Sequence, residues 1–129
     1  MVEAAERAGC KFAIEQNYRY YPENLQFRDT LRAENAVPGH VDIEFFIDAD
    51  FGAGNFRTVM DHPLTLDMMI HHADLLRYFT GLDAEWVVAA EHNPPWSWYE
   101  KPAGLRMLVG LTNGVIAGYR GCWASGGAS

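Results

Sequence analysis

Asp67, His71, Asp74 and Tyr78 lie in a stretch, Leu64 to Thr80, that is otherwise largely apolar. At about 100° per residue they form one narrow stripe of a helix. Leu66, Met68, Met69, Ile70, Ala73, Leu75, Leu76 and Phe79 fill most of the remaining circumference. A helix apolar on most sides is expected to be buried, so its polar stripe must be hydrogen-bonded internally or face a cleft. Asp67 stands one turn before His71. A carboxylate so placed can fix an imidazole's tautomer and raise its basicity, which prepares a general acid or base. The same spacing suits a buried structural pair, and spacing leaves both readings open. His62 and His72 are nearby, but His71 and His72 point about 100° apart on a helix. They do not easily join one site with Asp67, so no metal is expected.

Two other groups could do chemistry. Asn17-Tyr-Arg-Tyr20 carries a guanidinium, Arg19, that could hold an anionic or polar group through a fork of hydrogen bonds. Arg19 could equally form an ion pair that closes a turn. Trp96, Trp98 and Tyr99 could stack on a sugar face or pack a long loop.

The elements that must position these residues are legible in outline. Glu3 to Ala8 reads as a short helix with Gly9 as its stop, and Lys11 to Glu15 as a short apolar strand. Pro22 suits the first turn of a helix that runs to about Ala33, with Leu25, Phe27 and Leu31 on its apolar stripe. His40 to Asp48 alternates as a strand, with Val41, Ile43, Phe45 and Ile47 on one face. Asp50 to His62 is a loop. Its Gly52-Ala-Gly54 is only G-x-G, with Arg57 after it and no helix expected there. Pro63 opens the central helix, and Gly81 ends it near Thr80. Glu85 to Glu91 is a strand, and Asn93 to Tyr99 a rigid aromatic loop. Leu105–Leu111 and Val115–Cys122 flank Asn113-Gly114, a strong hairpin signal. Ser125 to Ser129 is expected to fray. The sum is an α+β fold, a mostly antiparallel sheet with helices on one face. The other face is expected to meet a partner, with Tyr119, Trp123 and the surroundings of Phe46 as candidates.

The chain has 129 residues, 49% hydrophobic and 21% charged, which is ordinary for one globular domain or part of one. Its formal net charge of −7, from 17 acidic and 10 basic residues, argues against nucleic acid and an anionic membrane as partners. No apolar run approaches the roughly 18–20 residues that span a bilayer, and Met1 to Gly9 does not resemble a secretory leader. Cys10 and Cys122 have no metal or redox spacing and are expected reduced, in a cytoplasmic protein.

Residue order adds what spacing cannot. Leu66-Asp-Met-Met-Ile-His-His-Ala-Asp-Leu-Leu-Arg-Tyr-Phe-Thr-Gly81 resembles the D-x-G-x-H-x-x-D signature, closed by a glycine, of the Gfo/Idh/MocA oxidoreductases. Phe12-Ala-Ile-Glu-Gln-Asn-Tyr-Arg-Tyr-Tyr-Pro22 resembles the N-x-R-[FY] segment by which that family leaves its nucleotide domain. The two motifs are in the family's order, and the resemblance runs from Glu3 to about Trp123. It implies the substrate and dimerisation domain of a glucose–fructose oxidoreductase-like protein. His71 matches the histidine that exchanges a proton with the substrate hydroxyl as hydride moves to or from nicotinamide. Asp67 matches the carboxylate beside it. Asp74 matches a second acidic residue that orients or braces, and Arg19 the arginine near the cofactor and substrate edge, with Asn17 and Tyr18 next to it. His72 is added as a substrate-side residue. Met69 stands where the family has glycine, and Asp61-His-Pro-Leu-Thr65 replaces its Gly-rich run. Both point to a subgroup with its own substrate.

The resemblance further implies NAD or NADP, a sugar, polyol or related hydroxyl substrate, and a homo-oligomer formed through the sheet face. The family seats its nicotinamide on a strand–GxGxxG–helix unit, which is not found in this sequence. Residues 1–22 are therefore expected to be the last helix and strand of a nucleotide domain missing from this chain. Residues 23–129 are expected to be an incomplete substrate domain, inactive alone as a dehydrogenase. Glu100-Lys-Pro102 spells the family's E-K-P motif at the wrong place, and Lys101 is given no role. Two other readings stand beside this one: a stand-alone, non-catalytic interaction domain, and a cofactor-free lyase or isomerase using Asp67 and His71.

Overall fold

A computed structural model describes residues 1–126 as an α+β fold built on a four-stranded mixed sheet. The strands are β1 (Val41–Phe46), β2 (Ala84–His92), β3 (Gly104–Leu111) and β4 (Ile116–Cys122), in the order β1-β4-β3-β2. β2, β3 and β4 form an antiparallel meander, while β1 lies parallel to β4. The β3–β4 turn closes through Leu111 and Val115. Gly114, at φ 82°, supplies the left-handed residue that a three-residue hairpin loop requires.

The helices are α1 (Val2–Arg7), α2 (Pro22–Ala33), the single turn α3 (Phe56–Val59) and α4 (Ile70–Thr80). Between β1 and β2 the chain crosses the whole sheet, because those two strands are its opposite edges. α4 makes that crossing, preceded by a π-helical segment, Leu64–Met69. Such wide turns often occur at functional sites. Gly81, at φ 70°, caps α4 in the left-handed conformation, and its N–H donates to Arg77.

The alternation in β1 works as expected. Val41, Ile43 and Phe45 point under the helices in rows with Ala117 and Val109, Tyr119 and Met107, and Gly121 and Leu105. One core cluster gathers Leu64, Leu105, Tyr99, Tyr119, Cys122 and Trp123. A second gathers Leu76, Val109, Leu111 and Ala117. The aromatic loop roofs the first. The Tyr99 hydroxyl donates to the Ala49 carbonyl at 2.6 Å, and the Trp96 indole to Ala124 at 2.9 Å.

Several expectations are corrected. Lys11 to Glu15 forms no strand. A strand needs a neighbour to take its ladder bonds, and none of the four strands pairs with this segment. A helix does begin after Gly54: Asn55 caps α3 by accepting from the Arg57 N–H at 3.0 Å. The central helical stretch is buried on one side only, since Leu66 and Ile70 are exposed. Tyr119 and Trp123, expected toward a partner, are core residues at 4% and 0% exposure. The open sheet face instead carries Trp86, Val88, Leu108 and Ile116 at one end and Arg106, Arg120 and Glu44 in the middle. Ser125 donates to the Ile47 carbonyl at 3.2 Å. The rest of the tail expected to fray, 127–129, lies outside the described residues. Both cysteines are free, Cys10 exposed and Cys122 buried.

Candidate functional site

Each polar residue of the central stripe is met by a residue from a different segment. Asp67 takes Arg57 of α3, with Nε to Oδ2 at 2.7 Å and Nη2 to Oδ1 at 3.3 Å. His71 Nδ1 lies 2.8 Å from Gln16 Oε1. Asp74 takes Arg19 in a two-bond fork at 2.5 and 2.6 Å. The Tyr78 hydroxyl accepts from Arg28 of α2. The stripe therefore faces a layer made by residues 16–19, α2 and α3.

The Asn17–Tyr20 turn, a 3₁₀ helix, is the main part of that layer. Asn24 holds it from α2 by donating to the Tyr18 carbonyl at 2.8 Å. Tyr18 lies flat on His71, with ring centroids 4.7 Å apart and planes 14° from parallel, and its hydroxyl donates to Met68 Sδ at 3.4 Å. Burial, reinforced by Tyr21 and Asp67, raises the Tyr18 phenol above its ordinary range. The hydrogen bond to Asp74 raises the Arg19 guanidinium above its ordinary range. Asn17 is exposed, and its amide donates to the Tyr21 hydroxyl at 3.4 Å.

Two expected relationships change. Asp67 does not pair with His71. A permanently charged, planar fork makes stronger bonds to a carboxylate than a neutral ring does, and Arg57, also resting on the rings of Phe51 and Phe56, takes the carboxylate. His72 is not on the stripe's side. It is 7% exposed and packed against Phe45, with Nδ1 3.1 Å from the Tyr119 hydroxyl. Burial first, and His71 second, lowers it to about 4. It is a neutral histidine on the core side of α4, where it lines a cavity with Phe27, Ile43 and Phe79. Burial likewise raises Tyr119.

Three partners escaped the sequence reading: Gln16, Arg57 and Arg28. Two carboxylates on one stripe did signal that cations were needed there. Which arginines answer depends on how loops dock, and neither Gln16 nor Arg57 belongs to a periodic segment. His62 joins Glu91 at 2.5 Å, with Thr65 donating to the same carboxylate. Lys101 pairs with Asp61 at 3.3 Å on the surface. Among the described residues no three His, Cys, Asp or Glu side chains gather as a metal site. No helix among them is long and apolar enough to cross a membrane.

Chemically, the arrangement neutralises both carboxylates and leaves one ring nitrogen, His71 Nε2, without a hydrogen-bond partner among the described residues. It can offer a lone pair or a proton at that atom.

No family model matches the sequence. The uncharacterized protein y4oX of Sinorhizobium fredii is 21% identical over 126 residues, which are 94% of this chain and 34% of that protein. Among solved structures, an oxidoreductase from Agrobacterium radiobacter in complex with NAD+, L-tartaric acid and magnesium superposes with a TM-score of 0.79 at 18% identity. The match covers 99% of this chain and 37% of that one. A probable dehydrogenase from Thermotoga maritima gives 0.78 at 16% identity, covering 95% and 38%. An aldose–aldose oxidoreductase from Caulobacter crescentus, complexed with glycerol, gives 0.77 at 18%, also covering 95% and 38%. The chain thus has the fold of one part of dehydrogenase and oxidoreductase chains. It spans little more than a third of their length, and about a third of the curated relative's.

Proposed function

We propose that this chain is the substrate-facing part of a Gfo/Idh/MocA-type, NAD(P)-dependent oxidoreductase acting on a sugar, polyol or related hydroxyl carbon. The observation that carries the reading is the state of His71: held at Nδ1, stacked on one face and open at Nε2, while every charged residue of its stripe is paired. His71 takes the hydroxyl proton at Nε2 when the substrate is oxidised and returns it in the reverse direction. Tyr18 fixes the ring plane. Asp74 and Arg19 brace the turn that carries Tyr18, and Asp67, bound to Arg57, keeps negative charge near the site without touching the ring.

The chain's own residues do not fit a dinucleotide. The glycines at 52 and 54 lead into a single helical turn, and two of the Arg19 nitrogens are committed to Asp74. Asn17 and Arg19 could at most touch a cofactor's edge. Nicotinamide would supply the hydride chemistry from a seat outside the described residues.

The test is NAD(P)+-dependent oxidation of a panel of sugars and polyols by the protein as its gene encodes it, alongside His71→Ala. A fall in kcat of roughly 10²–10⁴-fold is expected, with nucleotide Kd unchanged. Equal turnover by the variant removes the assignment.

The open sheet face favours a second reading, association of copies of this chain. Val88 is 65% and Leu108 50% exposed, side by side on adjacent strands. Contiguous apolar surface of this kind marks interaction sites. Sedimentation should give a dimer or larger assembly that Leu108→Asp dissociates. A wild-type monomer at high concentration rejects this reading and leaves the first untouched.

A further inference from the structure

The geometry points to Gln16 as the residue that sets the tautomer of His71 and thereby makes Nε2 the reactive nitrogen, an inference that rests on the acid/base reading of His71. Gln16 Oε1 stands 2.8 Å from Nδ1. An amide oxygen only accepts, so Nδ1 must carry the hydrogen, and in the neutral ring the lone pair then falls to Nε2. Without that bond, an imidazole exchanges freely between its two neutral forms. The carboxylate spaced for this task, Asp67, is bound to Arg57 instead. The role passes to a neutral amide from another part of the chain.

Gln16 is itself held. It caps the 3₁₀ turn, its carbonyl accepts from the Arg19 N–H at 3.2 Å, and Arg19 is forked onto Asp74, one turn from His71 on α4. The anchor and the positioned ring thus share one rigid helix. The other titratable groups around the ring are Tyr18 on its face, the buried His72 beside it, and Asp67 and Asp74, each occupied by an arginine. None of them is bonded to Nδ1. An amide suits the role because it orients the ring without adding a charge.

Two-bond ¹H–¹⁵N correlation spectra of this chain, recorded where His71 is neutral, read the tautomer directly. The wild-type ring is expected as the Nδ1–H form. Gln16→Leu should shift it toward a mixture, and Gln16→Glu, which keeps an acceptor at the same place, should preserve it. In the protein assayed for turnover, Gln16→Leu should cost kcat on the order of 10-fold, as losses of partners that orient a working imidazole do. Gln16→Glu should recover more of the rate than Gln16→Leu. A wild-type ring in the Nε2–H form overturns the inference, as does a Gln16→Leu spectrum with an unchanged tautomer. Should Gln16→Leu fail to fold, the wild-type tautomer still decides. The tautomer is read without turnover. Failure of the acid/base reading, seen as unchanged turnover in His71→Ala, is therefore a separate result.

Discussion

His71 and His72 are neighbours in sequence and belong to different worlds in the fold. His71 sits on the outer stripe of α4, half-buried, with an amide at one nitrogen and a tyrosine on its face. His72 sits about 100° around the helix, buried against Phe45 and Tyr119. The side chain is the same in both, so the difference comes from what each face of α4 meets. One face meets a sheet, and burial strips the imidazole of its useful charge. The other meets a layer of loops and short helices whose polar groups pair with every member of the stripe yet leave one nitrogen open. Proximity to a motif is therefore a poor guide to role, and the direction of the Cα–Cβ bond a good one.

The largest expected effect separates the two histidines by activity. His71→Ala should lower kcat by roughly 10²–10⁴-fold with little change in thermal midpoint. His72→Phe should do the reverse, altering stability while keeping most of kcat. Steady-state rates and melting curves of both variants check this. If the two lose kcat equally, the division of α4 into a working and a packing face is wrong.

The next effect is on stability against pH. His72 titrates at about 4 when folded and near 6.5 when unfolded. Between those values the unfolded chain binds more protons, so stability rises with pH across the window and is lost as pH falls from about 6.5 to 4. The full loss is of order 3 kcal/mol. Denaturant titrations of wild type and His72→Phe at a series of pH values should show the slope in the first and a flatter profile in the second. A parallel pair of profiles would mean that His72 is not sealed from water.

Arg19→Leu should cost roughly 1–3 kcal/mol, because Asp74 is left mostly buried without its fork. It should also free the turn that carries Gln16 and Tyr18. Chemical denaturation gives the first effect, and loss of the His71 tautomer preference gives the second. Stability lost without any change at His71 would show that the turn is held by Asn24 and Tyr18 alone.

Much of this frame could be read from the residues. Pro63 and Gly81 bracket the central helical stretch, Asn113-Gly114 marks the hairpin, and Val41, Ile43 and Phe45 alternate toward the core. These signals are local: a fixed φ, a missing N–H or a period of two. Apart from the single turn α3, which Asn55 caps locally, the failures are non-local. Lys11 to Glu15 has the composition of a strand but no strand beside it, and β1 runs parallel to β4 across a pairing no short-range pattern encodes. Asp67 and His71 have the spacing of a dyad, but a guanidinium ten residues away in sequence reaches the carboxylate first. The stripe's membership was therefore legible and its partners were not.

The smallest effect is expected at Lys101, and it sharpens the same point about position. Lys101 stands in Glu100-Lys-Pro102, letters that in the resembling family mark a working lysine, but here they follow the aromatic loop. Its ammonium reaches Asp61 at 3.3 Å, with both side chains largely in water. An exposed pair of this kind contributes little, so Lys101→Ala should change stability by less than about 0.5 kcal/mol and leave kcat unchanged. A fall in kcat of the size expected for His71→Ala would place Lys101 at the reacting atoms and require the aromatic loop to close over the stripe. An unchanged rate would assign the motif's letters to chance, and with them any role argued from spelling where the fold puts the side chain elsewhere.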